Sequence, residues 1–96
     1  MTETALSLPA ILDLSAAEPL RQALLERLGQ GGGGEVRLEG DAVDRVSTAC
    51  LQVLLTAAAD CRSQGGRLRL LSPSEALCKA FHVLGLDPQL TEMCAA

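Results

Sequence analysis

The sequence predicts an α/β fold in which a mixed, mostly parallel β-sheet packs against α-helices, and two observations carry that prediction. Runs that alternate apolar and polar residues take turns with runs that repeat every three to four residues, and strands separated by such helices need crossover connections. The chain has 96 residues, 48% of them hydrophobic and 21% charged, which supplies one core and leaves no room for a second. Phe81 is the single aromatic residue, so leucine, valine and alanine must fill that core.

In chain order, residues 5–8 alternate apolar and polar, Pro9 interrupts, and Ile11-Leu12-Asp13-Leu14 resumes. This predicts two short strands with a turn at Pro9, at the edge of a sheet. From Ser15 the period changes: Leu20, Leu24 and Leu28 form one helical row flanked by Ala17 and Leu25, with Arg21, Glu26 and Arg27 towards solvent. Ser15 followed by Glu18 fits a capping box, and Pro19 fits the first helical turn. The five glycines within residues 29–34 are expected to end that helix, because glycine loses the most backbone freedom when ordered. A phosphate-cradling loop would need a strand before those glycines and a Gly-Lys-Ser/Thr after them, and neither is present. Alternation in Glu35-Val36-Arg37-Leu38 predicts the next strand, and residues 43–46 form a short extended piece that leads to Ser47.

The clearest helix follows, with Leu51, Leu54, Leu55 and Ala58 at i, i+3, i+4 and i+7. Gly65 and Gly66 stop it. Leu68, Leu70 and Leu71 mark a strand whose apolar content points to a buried central position. Ser72-Pro73-Ser74-Glu75 is a helix start with Ser72 as cap and Glu75 closing the box. Leu77, Phe81 and Leu84 are expected to face the core, Gly85 to end the helix, and Asp87-Pro88 to open a last short one through Met93.

Twelve acidic against eight basic residues give a net charge of −4, which repels a nucleic-acid backbone or an anionic membrane. A single aromatic ring also leaves out the stacking platforms of single-strand binders. No apolar run approaches the roughly 20 residues that cross a bilayer, and Met-Thr-Glu-Thr is not the basic start of a secretory signal, so a cytoplasmic location is expected. Cys50, Cys61, Cys78 and Cys94 form no CxxC pair and fall in expected helices, which makes them reduced, unbridged thiols and not metal ligands. His82 is the only histidine. No nucleophile, base and orienting group stand out together, so neither catalysis nor a cofactor is expected.

One ordered set of motifs is more specific. Val46-Ser47-Thr48-Ala49-Cys50-Leu51-Gln52-Val53-Leu54-Leu55 is followed by Gly65-Gly66, Leu68-Arg69-Leu70 and Leu84-Gly85-Leu86. This order resembles the STAS domain signature, in which a strand ends in an Asp-Ser-Ser/Ala-Gly-Leu turn before an apolar helix, a Gly-Gly, a strand and a helix ending at Gly-Leu. The STAS domain is the fold of bacterial anti-sigma factor antagonists and of the cytoplasmic tails of sulfate transporters. Upstream, Leu12-Asp13-Leu14-Ser15-Ala16-Ala17 with Pro19-Leu20 is similar to the family's turn from strand to first helix. The resemblance covers nearly the whole chain and implies a single STAS domain over residues 1–96. The stretch from Cys50 to Leu55 is most similar to short stand-alone STAS proteins encoded beside chemotaxis genes in proteobacteria.

By this resemblance Thr48 matches the serine or threonine that a partner kinase phosphorylates, and Ser47 matches the aspartate just before it. Cys50 stands where the family usually has glycine, and Asp13 matches an aspartate near the phosphoacceptor. The implied function is a regulatory protein-binding module of the anti-sigma factor antagonist type, not an enzyme. Its implied partner is an anti-sigma-type serine kinase or a chemotaxis component, bound either constitutively or in a phosphorylation-sensitive way. The alternative is a cytoplasmic accessory subunit that regulates a lipid ABC transporter. Thr48 and Ser47 are the candidate phosphoacceptors, and the partner face is expected to include Asp13, Ser47, Thr48, Ala49 and Gln52. Apart from any family, Ser47 or Thr48 can cap the helix through its hydroxyl, and the N–H groups of a helix start favour an anion.

Overall fold

The computed structural model describes residues 5–31 and 35–94, with the backbone alone over residues 28–31. The two periodicities resolve in chain order into strands β1 (Leu6–Ser7) and β2 (Ile11–Leu12), a 3-10 turn (Leu14–Ala16) and helix α1 (Ala17–Gly31). Strands β3 (Glu35–Glu39) and β4 (Arg45–Val46) lead to helix α2 (Thr48–Ser63), and strand β5 (Arg67–Leu71) leads to helices α3 (Glu75–Val83) and α4 (Asp87–Cys94).

Among the described residues every strand pairing is parallel, in a three-stranded sheet ordered β1-β3-β5 and a two-stranded one of β2 with β4. The mostly parallel sheet is therefore present, divided in two. Pro9 accounts for the division, since it has no N–H to carry the ladder on. Leu8 N still donates to Glu39 O at 2.9 Å, and pairing resumes where Asp44 N donates to Ala10 O at 2.7 Å. The same two chain segments thus pair twice, and residues 40–43 loop out between. Gly40 opens that loop in a tight seat: a Cβ there would lie 2.8 Å from Leu77 Cδ2 and 3.3 Å from Leu70 Cδ1. Its carbonyl accepts from Ser74 N at 3.0 Å and Val43 N at 3.3 Å, which fastens the start of α3 to the break in the sheet.

Strict alternation turns Val36, Leu38, Leu68 and Leu70 inward, where they meet Leu20, Leu24, Leu51, Leu54, Leu77 and Phe81. Helices α1 and α2 pack on each other, with α1 also on β3 and α2 on β5, while α3 covers β4 and α4 lies on β5. Leu55 is half-buried, and the side chain of Leu28 lies outside the described residues.

Several local expectations are corrected. Strand β5 is an edge and β3 is the central strand; only Leu68 and Leu70 of β5 face the core, while Arg67, Arg69 and Leu71 alternate onto the other face. Helix α1 runs on to Gly31, because glycine weakens a helix without forbidding its angles and each added residue extends an existing ladder. Ser15 is not the cap before α1; Asp13 caps the 3-10 turn, its Oδ1 accepting from Ser15 Oγ at 2.7 Å and from Ala16 N at 3.2 Å. Ser74, not Ser72, caps α3 by accepting from Leu77 N at 3.1 Å. Ser72 instead turns the chain out of β5 with a φ of 49°. Leu84 is the C-cap of α3 and 45% exposed, because the chain reverses at Gly85. Of residues 43–46 only Arg45–Val46 is strand.

The stops at Gly65 and Gly85 behave as expected. Gly65 and Gly85 have φ of 82° and 72°, and each closes a paired-bond helix end: Gly65 N to Arg62 O with Gly66 N to Cys61 O, then Gly85 N to His82 O with Leu86 N to Phe81 O. All four cysteines are free thiols, Cys50 and Cys61 buried and Cys78 and Cys94 half-buried. Burial pushes the Cys61 and Cys94 thiols above their ordinary range.

On the outer face of the sheet Arg37 Nε donates to Glu35 Oε1 at 2.7 Å, and Arg69 Nη1 lies 3.9 Å from Glu35 Oε2. The Arg37 hydrogen bond holds the Glu35 carboxyl below its usual range against the opposing effect of partial burial, with the charges of Arg37, Arg69 and Arg67 adding to it. A carboxyl lowered by folding stabilises the protein above its unfolded pKa, and that contribution is lost as pH falls through the folded value. Glu35→Gln should therefore flatten the decline of the urea midpoint below about pH 4.5, a range set by the ordinary glutamate pKa; an unchanged acid limb would remove Glu35 as a cause. Leu54 is fully buried, and Leu54→Ala should cost about 2 to 5 kcal/mol in urea unfolding, whereas a midpoint equal to the parent's would place Leu54 outside the core.

Candidate functional site

Strands β2 and β4 pair Ile11 with Arg45 and Leu12 with Val46, so both end at the same place and each delivers a helix start there. Ser47 N donates to Leu12 O at 2.7 Å, locking the two exits together. Asp13 and Ser47 then both take extended backbone angles and act as caps. Ser47 Oγ accepts from Cys50 N at 3.3 Å, and Ser47 O accepts from Leu51 N at 3.1 Å. Of the two hydroxyls that can cap α2, Ser47 is the one that does. Thr48 is the exposed first residue of the helix, and among the described residues no protein group bonds its hydroxyl.

The two turns are also joined side by side. Cys50, fully buried, donates its Sγ hydrogen to Asp13 O at 3.3 Å. The thiol thus bridges the two turns as a second donor to a carbonyl that already accepts from Ala16 N at 2.9 Å. With Cys50 N and Leu51 N bonded to Ser47, the N–H groups of Thr48 and Ala49 are the ones the helix leaves without an intrahelical acceptor, at the positive end of its dipole. An anion placed on Thr48 would meet those donors.

The expected partner residues fall into two parts. Asp13, Ser47 and Thr48 are gathered at the strand exits, and Ala49 and Gln52 line a groove of about 380 Å³ between α1 and α2. The groove takes a single stripe of α2, from Ala49 through Gln52, Val53 and Thr56 to Asp60, facing Ala17, Arg21 and Leu25 of α1. Sequence reading missed Leu14, which is 73% exposed beside Asp13. It also missed Leu25, Val53 and Thr56. The signal for Leu14 is Asp13 itself: a cap ends the strand alternation, so Leu14 does not follow Leu12 inward. The signal for the groove is a second helical stripe beside the leucine stripe, at i, i+3, i+4 and i+7 from Ala49.

Elsewhere, His82 Nδ1 lies 3.1 Å from both carboxylate oxygens of Asp87, an exposed pair that links α3 to α4. Among the described residues no group of three potential metal ligands comes together, and no helix is long and apolar enough to cross a membrane.

Parallel strands that each deliver a capped helix start, with polar side chains collected at their ends, define a small α/β domain with one chemically distinct face. A family model described as "Mlab, STAS domain" matches residues 2–92, and the chain belongs to the STAS domain family, whose members are typically non-catalytic regulatory modules that bind other proteins. No curated protein and no solved structure matches it.

The division of labour between the two hydroxyls has a direct test. Ser47→Ala should cost about 0.5 to 2 kcal/mol in urea unfolding, the usual loss of an N-cap, while Thr48→Ala should stay within about 0.5 kcal/mol of the parent as an exposed change does. Equal losses would move the cap.

Proposed function

We propose that this protein is a regulatory module of the anti-sigma factor antagonist type that docks a protein partner on the face made by Asp13, Ser47, Thr48, Ala49 and Gln52. The partner is an anti-sigma-type serine kinase or a chemotaxis signalling component, and the interaction takes place in the cytoplasm. The observation that carries this reading is the state of Thr48: it sits exposed at a helix start whose cap is already supplied by its neighbour, so its hydroxyl is free for other chemistry. The kinase transfers the terminal phosphoryl group of its nucleotide triphosphate to Thr48 Oγ1, the hydroxyl proton passes to a base of the kinase, and the diphosphate leaves. The new phosphate brings about −1.5 to −2 charge to the centre of the docking face. Exposed Leu14, next to Asp13 in the chain, gives that face an apolar contact, and burying a charge in an apolar contact opposes docking.

The test uses the partner captured by affinity pulldown from native lysate and identified by mass spectrometry. Thr48→Glu should bind it at least about tenfold more weakly, equivalent to about 1.4 kcal/mol, while Thr48→Ala should bind within about twofold, the behaviour of a near-neutral contact. Full affinity across Asp13, Thr48 and Gln52 variants would place the partner elsewhere. Capture of the ATPase of a lipid transporter, with no kinase or chemotaxis protein, would replace this reading by that of a transporter accessory subunit.

A further inference from the structure

Beyond the strand exits, we infer that the α1–α2 groove seats an amphipathic helix of the partner, about three turns long, apolar on its contact face and carrying lysine or arginine at the end that reaches Asp60. This deepens the reading of the Thr48 face as a docking surface and rests on it. Helices α1 and α2 both begin at the exits of β2 and β4, so they run side by side in the same direction. The groove between them starts next to Thr48.

The relief of the groove suits a helix. Ala49, Val53 and Ala57 recur every fourth residue along α2, a row of short side chains into which the ridge of another helix can settle. Both walls are helices with their backbone groups already bonded, so an extended segment would find no ladder to join, whereas a helix satisfies its own backbone. From Ala49 to Asp60 the stripe rises about 16 Å, which matches about three helical turns.

Charge selects which helix. Arg21 Nη1 lies 3.1 Å from Glu18 Oε2, which neutralises the charge on the α1 wall. Asp60 also lines the groove, is exposed, and takes part in no ion pair among the described residues. The groove is therefore mainly apolar, with the neutral polar side chains of Gln52 and Thr56 along one edge and one uncompensated negative charge at the end remote from Thr48. A basic residue there gains a partner, and an acidic one meets repulsion. A second copy of this chain is the poorer occupant, because each copy brings a net charge of −4.

The experiment places the photocrosslinking residue p-benzoylphenylalanine at Thr56, within the groove, and separately at Thr48, at its mouth. The intact protein is irradiated in lysate of the source organism, and the joined peptides are sequenced by mass spectrometry. Both positions should capture the same protein. The Thr56 crosslink should fall in a segment with apolar residues at three- and four-residue spacing and a lysine or arginine within a turn of one end. A synthetic peptide of that segment should bind Asp60→Lys at least tenfold more weakly than the parent and Asp41→Lys, an exposed charge reversal outside the groove, within twofold. Capture from Thr48 but not Thr56 overturns the groove and leaves the docking face standing. Crosslinks to a second copy of this chain, to a segment without that pattern, or peptide binding indifferent to Asp60→Lys also overturn it. Capture from neither position overturns both readings.

Discussion

Two residue pairs of parallel ladder, Ile11 with Arg45 and Leu12 with Val46, decide where the chemistry of this domain ends up. Slip that pairing by one residue and the fully buried Leu12 turns to solvent, while Asp13 and Thr48 move apart by about one strand step of 3.3 Å. Such a short ladder has few bonds of its own, so its register is held from outside. Leu12 plugs it into the core, Ser47 N bonds the carbonyl of Leu12, and Cys50 crosses from the second turn to the first. Gly40 completes the support by letting the preceding loop lie against Leu70 and Leu77, where a Cβ would force Leu77 or the loop to shift.

Within the α2 start, the helix cap and the exposed hydroxyl belong to adjacent residues. Ser47 spends its hydroxyl on the helix and is half-buried, whereas Thr48 is exposed and idle. A single residue doing both jobs could not change state without loosening the helix. With the cap one residue upstream, the surface at Thr48 can gain charge while α2 keeps its first turn. Asp13 has the same cap role on the neighbouring turn, so both starts remain ordered around a surface open to modification.

Much of the fold was legible because single residues or short spacings decide it. Gly65 and Gly85 had to take the left-handed conformation that ends a helix, and the alternation in β3 and β5 fixed which leucines turn inward. What was not legible depends on pairs far apart in sequence. The leucines of β5 look central until Arg67 and Arg69 are seen to face away on an edge strand, and the split of the sheet at Pro9 requires knowing which segment runs alongside. The choice between Ser72 and Ser74 as cap turned on a carbonyl of Gly40, more than thirty residues earlier. At the candidate site, Thr48 and Asp13 were named through family resemblance, since nothing in the local sequence of either turn says that the two turns are joined by Ser47 N and the Cys50 thiol. Leu14 and the α1–α2 stripe went unread because each looked like a continuation of a buried pattern.

The absence of hairpins among the described strands has a consequence for how the domain forms. Leu6 pairs with Leu38, Leu12 with Val46 and Leu38 with Leu70, so every ladder must wait for the closure of a long intervening loop. Helices can form early from local contacts, but the juxtaposition of Asp13 with Thr48 exists only after distant segments have met. No short fragment of the chain would carry the proposed docking face. A binding protein that recognises it discriminates finished molecules from nascent or partly unfolded ones, and by mass action draws the population towards the completed state.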